Sequence, residues 1–158
     1  MRFAMALKII GVLLILFSTT MLPPLFIGLV ASDGAAAAFA TGFATTLFSG
    51  VVIWLLTRLS KGELSIRDGF VVTALFWLVL GLFGAIPFWL SPQLALSPTE
   101  AIFESISGLT TTGATVITGL DELPRSLLFY RQFLQWLGGI GIIVLAVAIL
   151  PMLGIGGM

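Results

Sequence analysis

Long apolar runs separated by short polar turns set the pattern of this chain, with one short mixed segment placed among them. Arg2 and Lys8 lead into an uncharged run from Ile9 to Ser32. As a helix it would extend ~36 Å, enough to cross ~30 Å of hydrocarbon with tilt. Pro23 and Pro24 predict a kink or an end to the regular helix near its far side. The positive start and the small residues Ala31 and Ser32 also fit a cleaved signal peptide. The apolar run is longer than a usual signal core, so an uncleaved span is expected. Asp33-Gly34 reads as a polar turn. A second run, Ala35 to Thr57, opens with small residues (AAAAFATGFATT), as in a helix packed closely on others, and turns bulky from Leu47 to Leu56 around Trp54. The stretch RLSKGELSIRDG, Arg58 to Gly69, sets Arg58, Lys61 and Arg67 against Glu63 and Asp68. A third span is expected from about Phe70 to Leu90, with Trp77 and Trp89 on it and Pro87 near its end. A fourth runs from about Leu127 to Leu150 and is expected to stop before Pro151. Within it, Gly138, Gly139 and Gly141 read as packing sites or a bend, and the tail MLGIGGM is apolar and Gly-rich.

The mixed segment is Ser97 to Thr118, SPTEAIFESISGLTTTGATVIT. Ser97 can cap a helix, Pro98 fits its first position, and Glu100 stands where a capping box needs it. The helix is expected to run through Ile102, Phe103 and Ile106 to about Gly108, roughly 16 Å, too short to cross a membrane. It must therefore enter and stop part-way, or lie on the surface. Thr110 to Thr115 then suits neither a helix nor a buried strand and is expected to return in extended form. GLDELPRS, Gly119 to Ser126, reads as a polar turn.

Composition narrows the chemistry. Charged residues make up 9% of the chain and hydrophobic residues 59%, too little polar surface for a water-soluble globule, so an integral membrane protein is expected. The net charge is zero, and no basic cluster offers a footprint for nucleic acid. Without Cys or His, disulfides, thiolate or Ser-His nucleophiles and His- or Cys-bound zinc are excluded. Glu100 and Glu104, one helical turn apart, leave a carboxylate-pair mechanism formally open. Both fall near the start of the expected helix, where carboxylates offset the positive end of its dipole. No catalytic residue, enzyme activity or cofactor is expected.

Lys and Arg set the orientation. Five of the seven (Arg2, Lys8, Arg58, Lys61, Arg67) fall at the N-terminus and in the second connection. The positive-inside rule then places both ends of a four-span chain in the cytoplasm, with Ser97–Thr118 entering from outside. The N-terminus of the short helix, with Glu100 and Glu104, would stay near water. The negative end of its dipole would point into the membrane and favour a cation. Carbonyls of Thr110 to Thr115, facing a central axis and with no charge at the ring, describe a site for a monovalent ion. Gly113 supplies backbone freedom for its carbonyl to turn. A surface-lying amphipathic helix followed by an ordinary Thr/Gly linker is the plainer alternative.

Two stretches carry a resemblance: Ile106 to Thr118, within SISGLTTTGATVIT, and FYRQFLQWLGGIGIIVLAVAILP, Phe129 to Pro151. Together they resemble the first pore repeat of the TrkH family, in the Trk/Ktr/HKT superfamily of bacterial and plant cation transporters. The resemblance implies an all-α membrane protein of four transmembrane helices plus one re-entrant pore helix and an extended filter loop. Residues 1–68 would form two leading helices, and residues 69–158 one helix–pore loop–helix repeat of an expected four. It implies that Gly113 is the filter glycine, flanked by Thr110, Thr111, Thr112 and Ala114, with potassium held at Thr111, Thr112 and Gly113. Ser97 and Glu100 would cap the pore helix. Implied partners are membrane lipid, the remaining repeats or further copies of the chain, a second protomer, and a cytosolic TrkA-type nucleotide-binding regulator. The implied location is the bacterial inner membrane. With one repeat in hand, a portion of a longer protein is expected. The alternative is a non-conducting accessory protein that assembles through small-residue faces. Arg131 reads as an electrostatic element near a pore mouth, as an ion-pair partner of Glu104, Asp121 or Glu122, or as a side chain snorkelling to the interface. Gln135 reads as a ligand to filter or pore-helix backbone or as packing glue, and Asp121 and Glu122 as a solvated turn or a cation-concentrating mouth.

Overall fold

The computed structural model describes residues 2–60 and 66–152. Lys61 and Glu63 of the charged connection and the tail from residue 153 lie outside the described residues, as do the side chains of Arg67 and Asp68. Among the described residues, four helical stretches are long and apolar enough to cross a membrane: Phe3–Ala31, Ala36–Thr57, Gly69–Leu90 and Arg125–Val144.

The first stretch comprises α1 (Arg2–Ser18), a 3-10 turn (Thr19–Met21) and α2 (Leu22–Ala31). The expected break at the Pro pair is a local tightening placed just before it. The hydroxyls of Ser18, Thr19 and Thr20 each donate at 2.7 Å to the carbonyl three residues back. Pro23 and Pro24 then fall in the first turn of α2, where a missing N–H forfeits no helical bond. The helix therefore resumes and ends at Ala31, capped by left-handed Ser32.

α3 (Ala36–Thr57) returns beside α1, and this pair forms the most extensive helix contact of the fold. Its basis is two facing glycines. A methyl group on Gly50 would stand 2.9 Å from the Gly11 carbonyl oxygen, and one on Gly11 would stand 2.9 Å from the Trp54 nitrogen. The backbones approach through these small residues, as dispersion-driven packing in lipid favours. At one end of the pair the Lys8 ammonium donates to the Arg58 carbonyl at 3.0 Å.

α4 (Ile66–Gly84) and α5 (Ile86–Leu90) form the third stretch, offset at Ala85 just before Pro87. α6 (Pro98–Leu109) is the short helix, and α7 (Arg125–Met152) is the last. α7 starts two residues before the expected Leu127 and does not stop ahead of Pro151. The Pro124 carbonyl accepts from the Leu127 and Leu128 amides and sets the first turn early. Pro151 is the penultimate residue of that helix, so the bond its missing N–H forfeits falls in the last turn.

Tyr130 lies at the centre of the core. Its ring stands edge-on to Phe39 at 5.2 Å and tilted against Phe88 at 5.1 Å. Its hydroxyl donates to the Gly84 carbonyl at 3.0 Å. The end of the bundle away from Lys8 and Arg58 is tied by Asp33. Its carboxylate accepts from the Ala35 amide at 3.1 Å and from the Ser126 amide at 3.0 Å, and the Gln93 amide group donates to its carbonyl at 3.2 Å. A carboxylate at the start of α7 also meets the positive end of that helix.

Candidate functional site: the short helix and its return loop

The local sequence starts α6 as expected. The Glu100 amide donates to the Ser97 hydroxyl oxygen at 3.4 Å, and Glu100 Oε2 accepts from the Ser97 amide at 2.8 Å. This capping box is complete, with Pro98 at the first helical position. The Ser97 hydroxyl and amide together hold the Glu100 carboxyl below the usual carboxylate range.

The twelve residues of α6 extend about 18 Å. Its last residue, Leu109, reaches Gly138, about 20 Å along α7 from Arg125. The short helix thus stops halfway along a spanning helix, which is the re-entrant geometry. Glycines seat it on both sides: Ile106 fills the space beside Gly81 of α4, and Leu134 of α7 fills the space beside Gly108 of α6 itself. The buried residues of α6 are Ala101, Glu104, Ser105, Ser107, Gly108 and Leu109, while Phe103 is exposed. Most of the buried residues are small or polar, unlike the apolar inner face of a water-soluble helix.

Glu104 departs from expectation. It was expected near water, offsetting the helix dipole, yet only 2% of its surface is exposed. Arg131 Nε donates to Glu104 Oε2 at 3.0 Å. The other oxygen, Oε1, accepts from the Thr115 hydroxyl at 2.5 Å and from the Val116 amide at 2.6 Å. An ion in a low-dielectric interior needs such pairing, which explains why charge is tolerated there. Of the three partners open to Arg131, the structure selects Glu104. Asp121 and Glu122 lie exposed on a 3-10 turn, Leu120–Glu122, and Gln135 is half-buried on α7.

The return begins with a turn rather than directly in extended form. The Thr110 amide bonds the Ile106 carbonyl at 2.8 Å, and the Thr111 amide bonds that of Gly108 at 2.9 Å. The Ser107 carbonyl takes both the Thr112 amide (2.9 Å) and the Gly113 amide (3.3 Å). Thr111 and Gly113 have φ of 57° and 73°. Glycine occupies that region without penalty, whereas a β-branched Thr is strained in it. The Ala114 carbonyl turns back to accept from the Ser107 hydroxyl at 2.7 Å, and the Thr110 carbonyl accepts from the Thr111 hydroxyl at 2.7 Å. Among the described residues, the carbonyls of Thr111, Thr112 and Gly113 accept no hydrogen bond. Residues 110–116 are all exposed, beside a shallow cavity of about 230 Å³ lined by Phe103, Ile106, Ser107, Thr110, Thr112 and Ala114.

The expected site residues therefore lie on one short helix and its loop. The fold joins to them two that were not counted in the site, Glu104 and Ser107. Glu104 left one signal: a carboxylate within a short helix and an Arg near the start of an apolar span are each costly in lipid unless paired.

The whole chain has close relatives. It is 58% identical over 158 residues to the Trk system potassium uptake protein TrkH of Halomonas elongata, covering 100% of this chain and 33% of that protein. It is 55% identical over 158 residues to TrkH of Escherichia coli K12, with the same coverage of 100% and 33%. The crystal structure of the potassium transporter TrkH from Vibrio parahaemolyticus superposes with a TM-score of 0.92 at 57% identity, covering 100% of this chain and 34% of that one. The chain thus spans about a third of the length of the relatives it matches. The profile of the TrkH family, described as cation transport protein, matches residues 35–158. With its four apolar helical stretches, the chain is a multi-pass membrane protein and belongs to the TrkH family of cation transport proteins.

Proposed function

We propose that this chain forms one wall of a potassium-conducting pore in a TrkH-type uptake protein of the bacterial inner membrane. The observation that carries the reading is the run of three consecutive exposed residues, Thr111, Thr112 and Gly113, whose carbonyls accept no hydrogen bond among the described residues. They sit at the negative end of a helix that stops halfway along α7. Carbonyl oxygens there replace water around a monovalent cation, and the α6 dipole adds favourable potential without a formal charge on the ion's path. Binding is then strong enough to strip water and weak enough to release. The back of the loop carries the neutral pair Glu104–Arg131, whose carboxylate oxygens are already engaged and so leave coordination to the backbone.

One wall does not enclose a pore. The relatives are about three times as long as this chain, room for the further repeats that closure requires. The names of those relatives as potassium uptake proteins support the choice of ion. Residues 1–68 as leading helices and 69–158 as one pore repeat belong to the same proposal, as do a second protomer and a TrkA-type regulator. The orientation, with N- and C-termini cytoplasmic and α6 entering from outside, is supported by Lys8 and Arg58 meeting at the end opposite the Asp33–Ser126 tie.

The test is potassium-over-sodium selectivity in rubidium flux with the full-length protein carrying Gly113→Ser. A side chain at a φ of 73° shifts the neighbouring carbonyls, so selectivity is expected to fall. Unchanged selectivity at unchanged protein level would remove Gly113 from the filter.

A further inference from the structure

We propose that Glu104 is a positioning residue for the Thr111–Gly113 carbonyls, held in register by Arg131; the inference rests on reading that loop as a potassium site. The loop is anchored at two places, and both anchors are on α6. Near its start, the Ser107 carbonyl holds the Thr112 and Gly113 amides, and the Ser107 hydroxyl holds the Ala114 carbonyl. Beyond Ala114, Glu104 Oε1 holds the Thr115 hydroxyl and the Val116 amide. Glu104 precedes Ser107 by three residues, about one helical turn, so the two anchors stand one above the other on the same face. The three carbonyls without partners are suspended at the first anchor, and the second sets how far the chain beyond them is pulled along the helix.

Arg131 supplies what a single carboxylate lacks. It engages Oε2 from α7, neutralises the buried charge and fixes the rotamer that aims Oε1 at the loop. The loop needs such restraint because Thr111 is in the left-handed region, a state that persists only when its surroundings over-determine it. A coordinating group is useful only when held within about 0.5 Å of its working position. The Thr115 hydroxyl also accepts from the Ile117 amide at 3.0 Å and so carries the restraint one residue further.

The experiment uses the full-length protein in vesicles and measures rubidium uptake in competition with potassium and sodium. Thr115→Val keeps shape and the Glu104–Arg131 pair and removes only the hydroxyl. Thr115→Ser restores it, Glu104→Gln weakens both anchoring bonds, and Gly113→Ser reports on the filter reading itself. Thr115→Val is expected to lower potassium-over-sodium preference by about tenfold or more, the order set by losing a hydrogen bond to a charged group, in a protein that still folds. Thr115→Ser is expected to match the parent, and Glu104→Gln to lose at least as much as Thr115→Val. A folded Thr115→Val with parental preference, alongside a Gly113→Ser that loses it, overturns the positioning role and leaves the filter reading intact. A Gly113→Ser protein with parental preference overturns both. If Glu104→Gln fails to fold, Thr115→Val decides alone.

Discussion

Leu109, the last residue of α6, turns its carbonyl oxygen onto Gly138 so closely that a methyl group on Gly138 would clash with it. Backbone meets backbone at that point, and the re-entrant helix stops because α7 is there.

The contact separates two adjacent glycines. Gly138→Ala forces α6 and α7 apart, and overpacking of this kind costs about 1–3 kcal/mol. Gly139→Ala meets only the Thr111 methyl, at 3.9 Å, and gains up to about 1 kcal/mol of helix propensity. Thermal midpoints in detergent should therefore fall for Gly138→Ala and hold or rise for Gly139→Ala. Equal midpoints for the two would mean that the helices do not meet at Gly138.

Tyr130 offers a graded pair of substitutions. Tyr130→Phe removes the bond to the Gly84 carbonyl and is expected to cost about 1 kcal/mol. Tyr130→Ala also removes the packing on Phe39 and Phe88 and, as for other large buried rings, is expected to cost about 3–5 kcal/mol. The ratio is read from denaturation midpoints. A Phe variant as unstable as the Ala variant would assign the core to the hydroxyl rather than the ring.

Asp33 predicts a dependence on acid. Partial burial acts to raise its pKa, but the amides of Ser126 and Ala35 outweigh that, and the carboxyl ends below its ordinary value. A depressed carboxylate stabilises the fold at every pH above its unfolded value, about 3.9. The contribution fades as pH falls below that value and is gone below the folded one. Glu100 shifts in the same direction through Ser97. Asp33→Asn should lower the thermal midpoint near neutral pH and narrow its difference from the parent as pH drops below about 4. A difference that stays constant across that window would show that the Asp33 charge contributes nothing at the start of α7.

What could be read in the chain was local or periodic. Long apolar runs, three of them uncharged and the fourth carrying Arg131, marked the four crossings, because lipid obliges a crossing segment to satisfy its own backbone and carry few charges. Ser97, Pro98 and Glu100 marked the start of α6, because a capping box lies within four consecutive residues. Gly113 was legible because its φ of 73° is a state that glycine adopts freely. The left-handed Thr111 was not, since no local preference puts a β-branched residue there. Its conformation follows from amides pulled back to the end of α6.

Tertiary structure alone decided which side chains face inward and what the charged ones hold. Glu104 and Arg131 are 27 residues apart, and Asp33 and Ser126 are 93 apart. No spacing rule links positions so distant. Gly81 and Gly138 let the neighbouring helices close on Ile106 and Leu109 of α6, a property of the neighbours rather than of α6. Capping residues and apolar run lengths were enough to show that a short capped helix ends in a Thr/Gly turn among membrane spans. Where that helix stops, and which oxygens of the turn are left without partners, was settled by close packing of backbones that are remote along the chain.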